Sequence, residues 1–415
     1  FQSKQESVTI KNHTIADLYL INLNNITHPK ARGLDIFWRP DQRVYNSFMT
    51  LPPLPPACLV NSQETLSHML AALKKQSSIA IDTESNSLHA YQERVCLIQI
   101  SIPGSDYLID PFSIEDLSPL GEVFADPYIQ KVFHAGDCDL ATLKRDYSFE
   151  FANIFDTMLA ATALGEPAIG LAALLEKYFD IQLEKKYQRA DWGKRPLDPE
   201  MLTYAQGDSH FLLQLRDLLV EKLRERGRLE LVLEDSAALA RITLPMRDHE
   251  EDIWNVKGSQ DLKPPALSLL KQLNHLRETI AEAKDVPPFK VFSNKAMIEI
   301  ATTQPHYLEE LGLLPSLSHS MIRRYGKQFM QVIQAWRENP EPVKLRKNHR
   351  LSDRELKLRE KLGDWRKEVG EKVGIPSNAV LSRDLLELIA HHDPQSDQDL
   401  AEVMRDYPHH YQEYG

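Results

Sequence analysis

Apolar residues first recur at helical spacing at Leu66, Met69, Leu70 and Leu73, which predicts an amphipathic helix over residues 62–75. Ser62 is placed to cap its start, and Lys74 and Lys75 close it. The pattern then changes. Four short apolar runs, at 78–82, 95–102, 106–109 and 131–133, read as strands. Helical spacing returns in DLATLKRDY at 139–147, in TMLAATALG at 157–165, at 171–179 and at 201–226. A run of strands followed by helices that cross them predicts an α/β sheet layered by helices.

Beyond residue 230 strand patterns stop and a repeat begins. Residues 276–287 align with 365–376, and 290–305 with 379–394, both without a gap and both 89 positions apart. Repeats of this length predict two copies of one small helical domain. The first copy continues into a further helix, HSMIRRYGKQFMQVIQAW; the second has only MRDYPHHYQEYG there, which predicts a shortened last helix. Residues 1–50 lack periodicity. FMTLPPLPPA at 48–57 reads as a Pro-rich connector, with Met49 beside it as a candidate native start.

At 415 residues the chain exceeds one ordinary core, so two or three domains are expected. Its 42% hydrophobic and 26% charged residues are those of a soluble globular protein, and no apolar run reaches the length of a membrane span. The three cysteines, Cys58, Cys96 and Cys138, suit neither a zinc site nor a disulfide framework. Their apolar neighbours predict buried free thiols and a reducing, cytoplasmic setting. The net charge of −11 lacks the basic footprint usual for a nucleic-acid binder, so local patches matter more than the total. The best local patch is PEPVKLRKNHR at 340–350, a linker with four Lys or Arg residues, suited to a phosphate backbone or to solvent.

The candidate chemistry lies in acids. Asp82 and Glu84 are i and i+2 near the end of a predicted strand, so both face one side. Two anions held together call for a cation, and a hard divalent ion prefers such oxygen donors. Tyr204 and Asp208 are i and i+4 on a predicted helix, again on one face. Asp139 opens a helix just after a strand. Its neighbour Asp137 is assigned to capping that helix, because Asp is favoured there.

IAIDTES with VCLIQIS, KVFHAGDCDLATL, FDTMLAA, LEKKYQRADWGKRPL and YAQGDSHFLLQL occur in this order. Over residues 54–225 the chain thereby resembles the DEDD superfamily of 3'→5' exonucleases, in its tyrosine subgroup, and within it ribonuclease D. The helical repeats resemble HRDC domains. The resemblance implies a ribonuclease H-like mixed sheet flanked by helices, followed by two small all-α domains. Its divisions are an extension at 1–53, the exonuclease domain at 54–225, a helical connector at 226–261, a first HRDC domain at 262–339, the linker at 340–350, and a second, shortened HRDC-like domain at 351–415.

Carried over residue by residue, the resemblance gives Asp82, Glu84, Asp139 and Asp208 two divalent metals, Mg²⁺ or Mn²⁺, and gives Tyr204 the attacking water. It places His134, Lys185, Gln188, Trp192 and Arg195 as candidate substrate contacts. Packing is the competing role for Trp192, and a structural role for His134. Asp156 is read as a helix cap. The sequence departs from the family at Ser85, where Phe often follows Asp-Thr-Glu. The implied activity is trimming of RNA 3' ends, tRNA precursors among them, by a protein expected to be monomeric and away from membranes. A 3'→5' DNA exonuclease and a catalytically dead nucleic-acid binder are the alternatives. The five filled catalytic positions oppose the second.

Overall fold

Strand β2 (Ser78–Ser85) sets the frame, because its two faces are sorted by polarity. Ile79 and Ile81 point into one apolar layer, whereas Ala80 points into another, so Asp82 and Glu84 share the face of Ala80. The computed structural model describes residues 54–243, 252–343 and 352–415. Its sheet has six strands in the order β1-β4-β3-β2-β5-β6, with β1 at Cys58–Val60, β3 at Val95–Ile102, β4 at Ser105–Ile109, β5 at Gln130–Phe133 and β6 at Ile154–Asp156. β2 pairs antiparallel with β3 and parallel with β5, so the sheet is mixed. Every residue of β3 is buried, as a strand covered on both faces requires.

One face of the sheet carries Ile98, Ile100 and Ile102 against α1 (Gln63–Leu73), α2 (Ser118–Ala125) and α3 (Asp137–Tyr147). The other face meets α4 (Thr157–Ala163), α5 (Leu171–Phe179), α6 (Pro199–His210) and α7 (Leu212–Glu225). Ser62 caps α1 in a reciprocal box with Thr65. The expected helix at 201–226 is two helices, broken at Phe211. β1 and β6 escape the sequence pattern because three residues are too few for alternation to register.

Behind the sheet, α8 (Leu229–Leu239) packs on β6 and α4, and two helical repeats follow. The first is built on Pro264–Ala283, Asn294–Thr303, Leu308–Leu311 and His319–Glu338. The second is built on Asp353–Val373, Arg383–His392, Asp397–Val403 and Pro408–Tyr414. Their corresponding helices begin at 264 and 353, 294 and 383, 308 and 397, and 319 and 408, which keeps the 89-residue offset throughout. Ser293 and Ser382 cap the equivalent helices. Arg277 and Arg366 each donate to the carbonyl just before that cap, at Phe292 and Leu381. The last helix has twenty residues in the first copy and seven in the second.

Two expectations change. Asp137 is the exposed first residue of α3 and makes no cap bond; Gly136 is the cap position, and Asp137 serves only as a favourable charge in the first turn. Of the three free cysteines only Cys96 is buried, because Cys58 starts an edge strand and Cys138 lies on the outer side of α3. Residues 1–50, Met49 and the four basic residues of the linker lie outside the described residues. Among the described residues no helix is long and apolar enough to cross a membrane.

The loop between β5 and α3 depends on one buried acid. Asp156 caps α4 by accepting from the backbone of Met158 and Leu159, and its other oxygen accepts from Gly136 N at 2.9 Å. Gly136 has no room for a side chain, since an added Cβ would meet Phe133 at 2.6 Å. Asp156→Ala removes a cap and strands a buried N–H, so we expect a loss of about 2 kcal/mol or more in urea denaturation. A change below about 0.5 kcal/mol would refute this role for Asp156.

Candidate active site

Asp82 and Glu84 leave β2 on the face covered by α6, and α6 brings Asp208 over them. One carboxylate oxygen from each of the three lies within 4.8 Å of the others. All three retain partial exposure, so the cluster is open to solvent on one side. Asp139 enters from the opposite layer, at the start of α3. Its Oδ1 accepts from the Thr83 hydroxyl, which points to that layer because Thr83 alternates with Asp82 and Glu84. Asp139 is still near enough to be the strongest charge acting on Asp82.

Electrostatics at the cluster follow from crowding. Burial, and then the neighbouring carboxylates Asp139, Asp208 and Glu84, hold Asp82 well above the usual range. Burial followed by Asp208 and Asp139 pushes Glu84 up to about 9. Burial also raises Asp208 and Asp139, opposed by hydrogen bonds from Tyr204 and Thr83 respectively. Burial and the same carboxylates raise Tyr204, so its phenol stays protonated and acts as a donor. An all-oxygen cluster of mutually repelling acids, open on one side, fits a hard divalent cation. Asp82, Glu84 and Asp208 would hold it, with Asp139 beside them.

Tyr204 is bracketed by rings, with Tyr187 at 6.0 Å and Trp192 at 6.1 Å between centroids. Trp192 is 1% exposed, so it packs under the loop rather than offering a face to a base. Arg195 is also committed to structure. It forms a two-pronged pair with Asp110, both contacts at 2.8 Å, and donates to the carbonyls of Cys96 and Trp192. A phosphate contact there would have to break that pair. His134 is pinned through Nδ1 to Thr157 at 2.9 Å, and burial depresses its pKa to about 4. Lys185 and Gln188 are exposed on the loop. Ser85, next to a bulge in the β2–β3 ladder, donates to Glu93.

Sequence reasoning missed Thr83 and Asp110. Alternation on β2 puts Thr83 toward α3, but a bond to Asp139 depends on how α3 approaches, which no local pattern carries. Asp110 and Arg195 are 85 residues apart, and nothing in either neighbourhood announces the pair.

Residues 58–224 match the 3'-5' exonuclease family, and residues 266–333 and 355–415 match the HRDC domain. The catalytic core of RRP6 from Trypanosoma brucei is 30% identical, with a TM-score of 0.59, over 68% of this chain and 81% of that one. The chain belongs to the 3'-5' exonuclease family. Its exonuclease domain is of the DEDD type and is followed by HRDC domains. Among curated relatives, the exosome complex exonuclease RRP6 of Saccharomyces cerevisiae is 35% identical over 262 residues, 59% of this chain and 36% of that protein. The exosome complex component 10 homolog of Caenorhabditis elegans is 35% identical over 260 residues, 60% of this chain. The chain spans roughly a third of the length of these two relatives, at 36% and 29%. RNase D of Escherichia coli shares the fold, with a TM-score of 0.63 at 24% identity over 85% of this chain.

The raised acids carry a pH signature. The folded protein keeps a proton on Glu84 that the unfolded chain releases near pH 4.5, so metal-free stability falls as pH rises from 4.5 to about 9. A divalent ion displaces that proton, so its stabilising effect grows over the same window. We expect the rise in melting temperature on adding Mn²⁺ to be larger at pH 8.5 than at pH 5.5. An equal rise at both values would contradict the assignment.

Proposed function

We propose that the chain is a metal-dependent 3'→5' exoribonuclease that trims RNA 3' ends and releases nucleoside monophosphates. The observation that carries this is the meeting of Asp82, Glu84 and Asp208 within 4.8 Å under a protonated Tyr204. The likeness to the RRP6 catalytic core and to the yeast exosome exonuclease supports RNA as the polymer. Two divalent ions, Mg²⁺ or Mn²⁺, are the proposed cofactors. When bound, they supply an activated water and offset charge on the leaving 3' oxygen.

The side chains have separate tasks. Asp82, Glu84, Asp139 and Asp208 provide the anionic cradle. Tyr204 keeps its proton, so it orients the attacking water by hydrogen bonding and does not act as the base. Water adds to the terminal phosphorus, the bond from phosphorus to the 3' oxygen breaks, and the shortened strand leaves with a 3' hydroxyl. Lys185 and Gln188 are exposed along the loop that brackets Tyr204 and are the proposed contacts to the substrate backbone. Trp192 and Arg195 serve that loop as its support.

The finer reading is a ribonuclease D-like enzyme acting as a monomer in the cytoplasm on stable RNA, tRNA precursors among its substrates. Labelled RNA and DNA of one sequence, incubated with Mn²⁺, test the polymer and the direction. Mononucleotides released faster from RNA with a free 3' hydroxyl are the expected result, and equal or faster digestion of DNA would overturn the RNA assignment. Asp208→Asn is expected to abolish cleavage while RNA binding persists. Tyr204→Phe is expected to lower kcat by about 10²–10⁴-fold with Mn²⁺ affinity retained. Near-wild-type turnover in Asp208→Asn would sink the metal cradle, and a Tyr204→Phe enzyme within twofold of wild type would remove the tyrosine from the chemistry.

A further inference from the structure

Gln99 sits in the middle of β3, a strand whose other polar side chain is the hydrogen-bonded Ser101, and is 0% exposed. Neither its Oε1 nor its Nε2 has a hydrogen-bond partner, and it is the one side chain among the described residues with two such orphaned atoms. A buried amide left unpaired costs stability, so its presence needs a reason.

Its position supplies one. Gln99 is the direct antiparallel partner of Asp82. Paired residues share a face with Cα atoms about 4.5–5.5 Å apart, so the amide is within side-chain reach of the Asp82 carboxylate. The other polar groups on this face are bonded to α6. Ser101 meets Ser209 at 2.8 Å, and Asp106 meets Gln206 at 2.6 Å and His210 at 2.7 Å. These bonds fix α6 over the sheet and leave Gln99 enclosed beside the carboxylate cluster.

We propose that Gln99 is a positioning residue for the metal cradle, its Nε2 orienting the Asp82 carboxylate toward a divalent cation. This rests on the metal reading above. Acids that ligate a metal are oriented by such partners, whose loss costs about 10–100-fold in affinity or activity. Asp82 is crowded by Asp139, Asp208 and Glu84 and accepts a hydrogen bond from the backbone at Thr83. Gln99 lies directly opposite Asp82 on the paired strand, and its Nε2 is uncommitted.

Gln99→Met keeps the volume and removes both polar atoms. The full chain, without RNA, is titrated with Mn²⁺ by calorimetry and melted in EDTA. We expect Q99M to melt at or above wild type in EDTA and to bind Mn²⁺ about 10–100-fold more weakly. Ser101→Ala serves as a control in the same layer: it should lower the melting temperature and leave Mn²⁺ affinity within twofold. Mn²⁺ affinity unchanged in Q99M overturns the proposal, as does equal weakening in Ser101→Ala, which would mean that loosening the layer suffices. If wild type itself binds no Mn²⁺, the metal reading fails and the proposal with it. If wild type binds and Asp82→Asn does not, the metal reading stands and Q99M alone decides.

Discussion

The frame around the candidate site has to hold buried, crowded carboxylates together. Three acids held within 4.8 Å, with a fourth close by, would separate if their backbones could move. Two of them sit instead on β2, where Asp82 and Glu84 are fixed by the ladder with β3 while β5 pairs with the strand's first half up to Ala80. The third acid is delivered by a helix tied down along its length. Ser209 and Gln206 bond to the sheet, His210 closes on Asp106, and Tyr204 is wedged between Tyr187 and Trp192. Arg195 does for the preceding loop what these bonds do for the helix, since its pair with Asp110 anchors the loop to the end of β4. A residue carried over as a substrate contact thus belongs to the frame that resists the charge cluster.

Asp139 is held by a different route, which passes through the rear of the molecule. Gly136 is fastened to Asp156, and the Asp156 N–H donates to Ser236 on α8. The two residues before Ser236 face the second helical repeat: Glu234 accepts from His410 at 2.8 Å, and Asp235 lies 3.6 Å from the other ring nitrogen. His410 is 0% exposed, so the contact is an internal one rather than a surface ion pair. Lys144, at the far end of α3, also bonds to the carbonyl of Ala240 just after α8. The connector therefore reaches one end of the segment that presents Asp139 through Asp156 and the other through Ala240, and it does so while docked against the second repeat.

The extent of legibility in the sequence follows from the range of each interaction. Asp82 and Glu84 were readable as a pair because strand alternation acts over two residues, and Tyr204 with Asp208 because a helical turn acts over four. The repeats were readable because a fixed offset survives folding, and the structure keeps it at every helix start. Asp137 was misread as the cap because capping depends on where the helix begins, and one residue of error moves an acid from cap to first turn. The exposed Cys58 and Cys138 misled for the same reason, since apolar neighbours in sequence do not settle which face a side chain takes. The bonds of Thr83 with Asp139 and of Arg195 with Asp110 join residues 56 and 85 positions apart, and only the packing of layers brings them together.

The net charge of −11 then has a narrower meaning than it carried at first. Part of that formal count comes from acids whose burial and crowding keep them protonated well above the usual carboxylate range, Asp82 and Glu84 among them. The metal-free cluster is accordingly less negative than its residues suggest. On the proposed metal reading, cation binding would exchange those protons for metal charge. An incoming phosphodiester would then meet carboxylates whose charge is already offset. For a polyanionic substrate, the sign of the whole chain is a weaker constraint than the state of these few carboxylates.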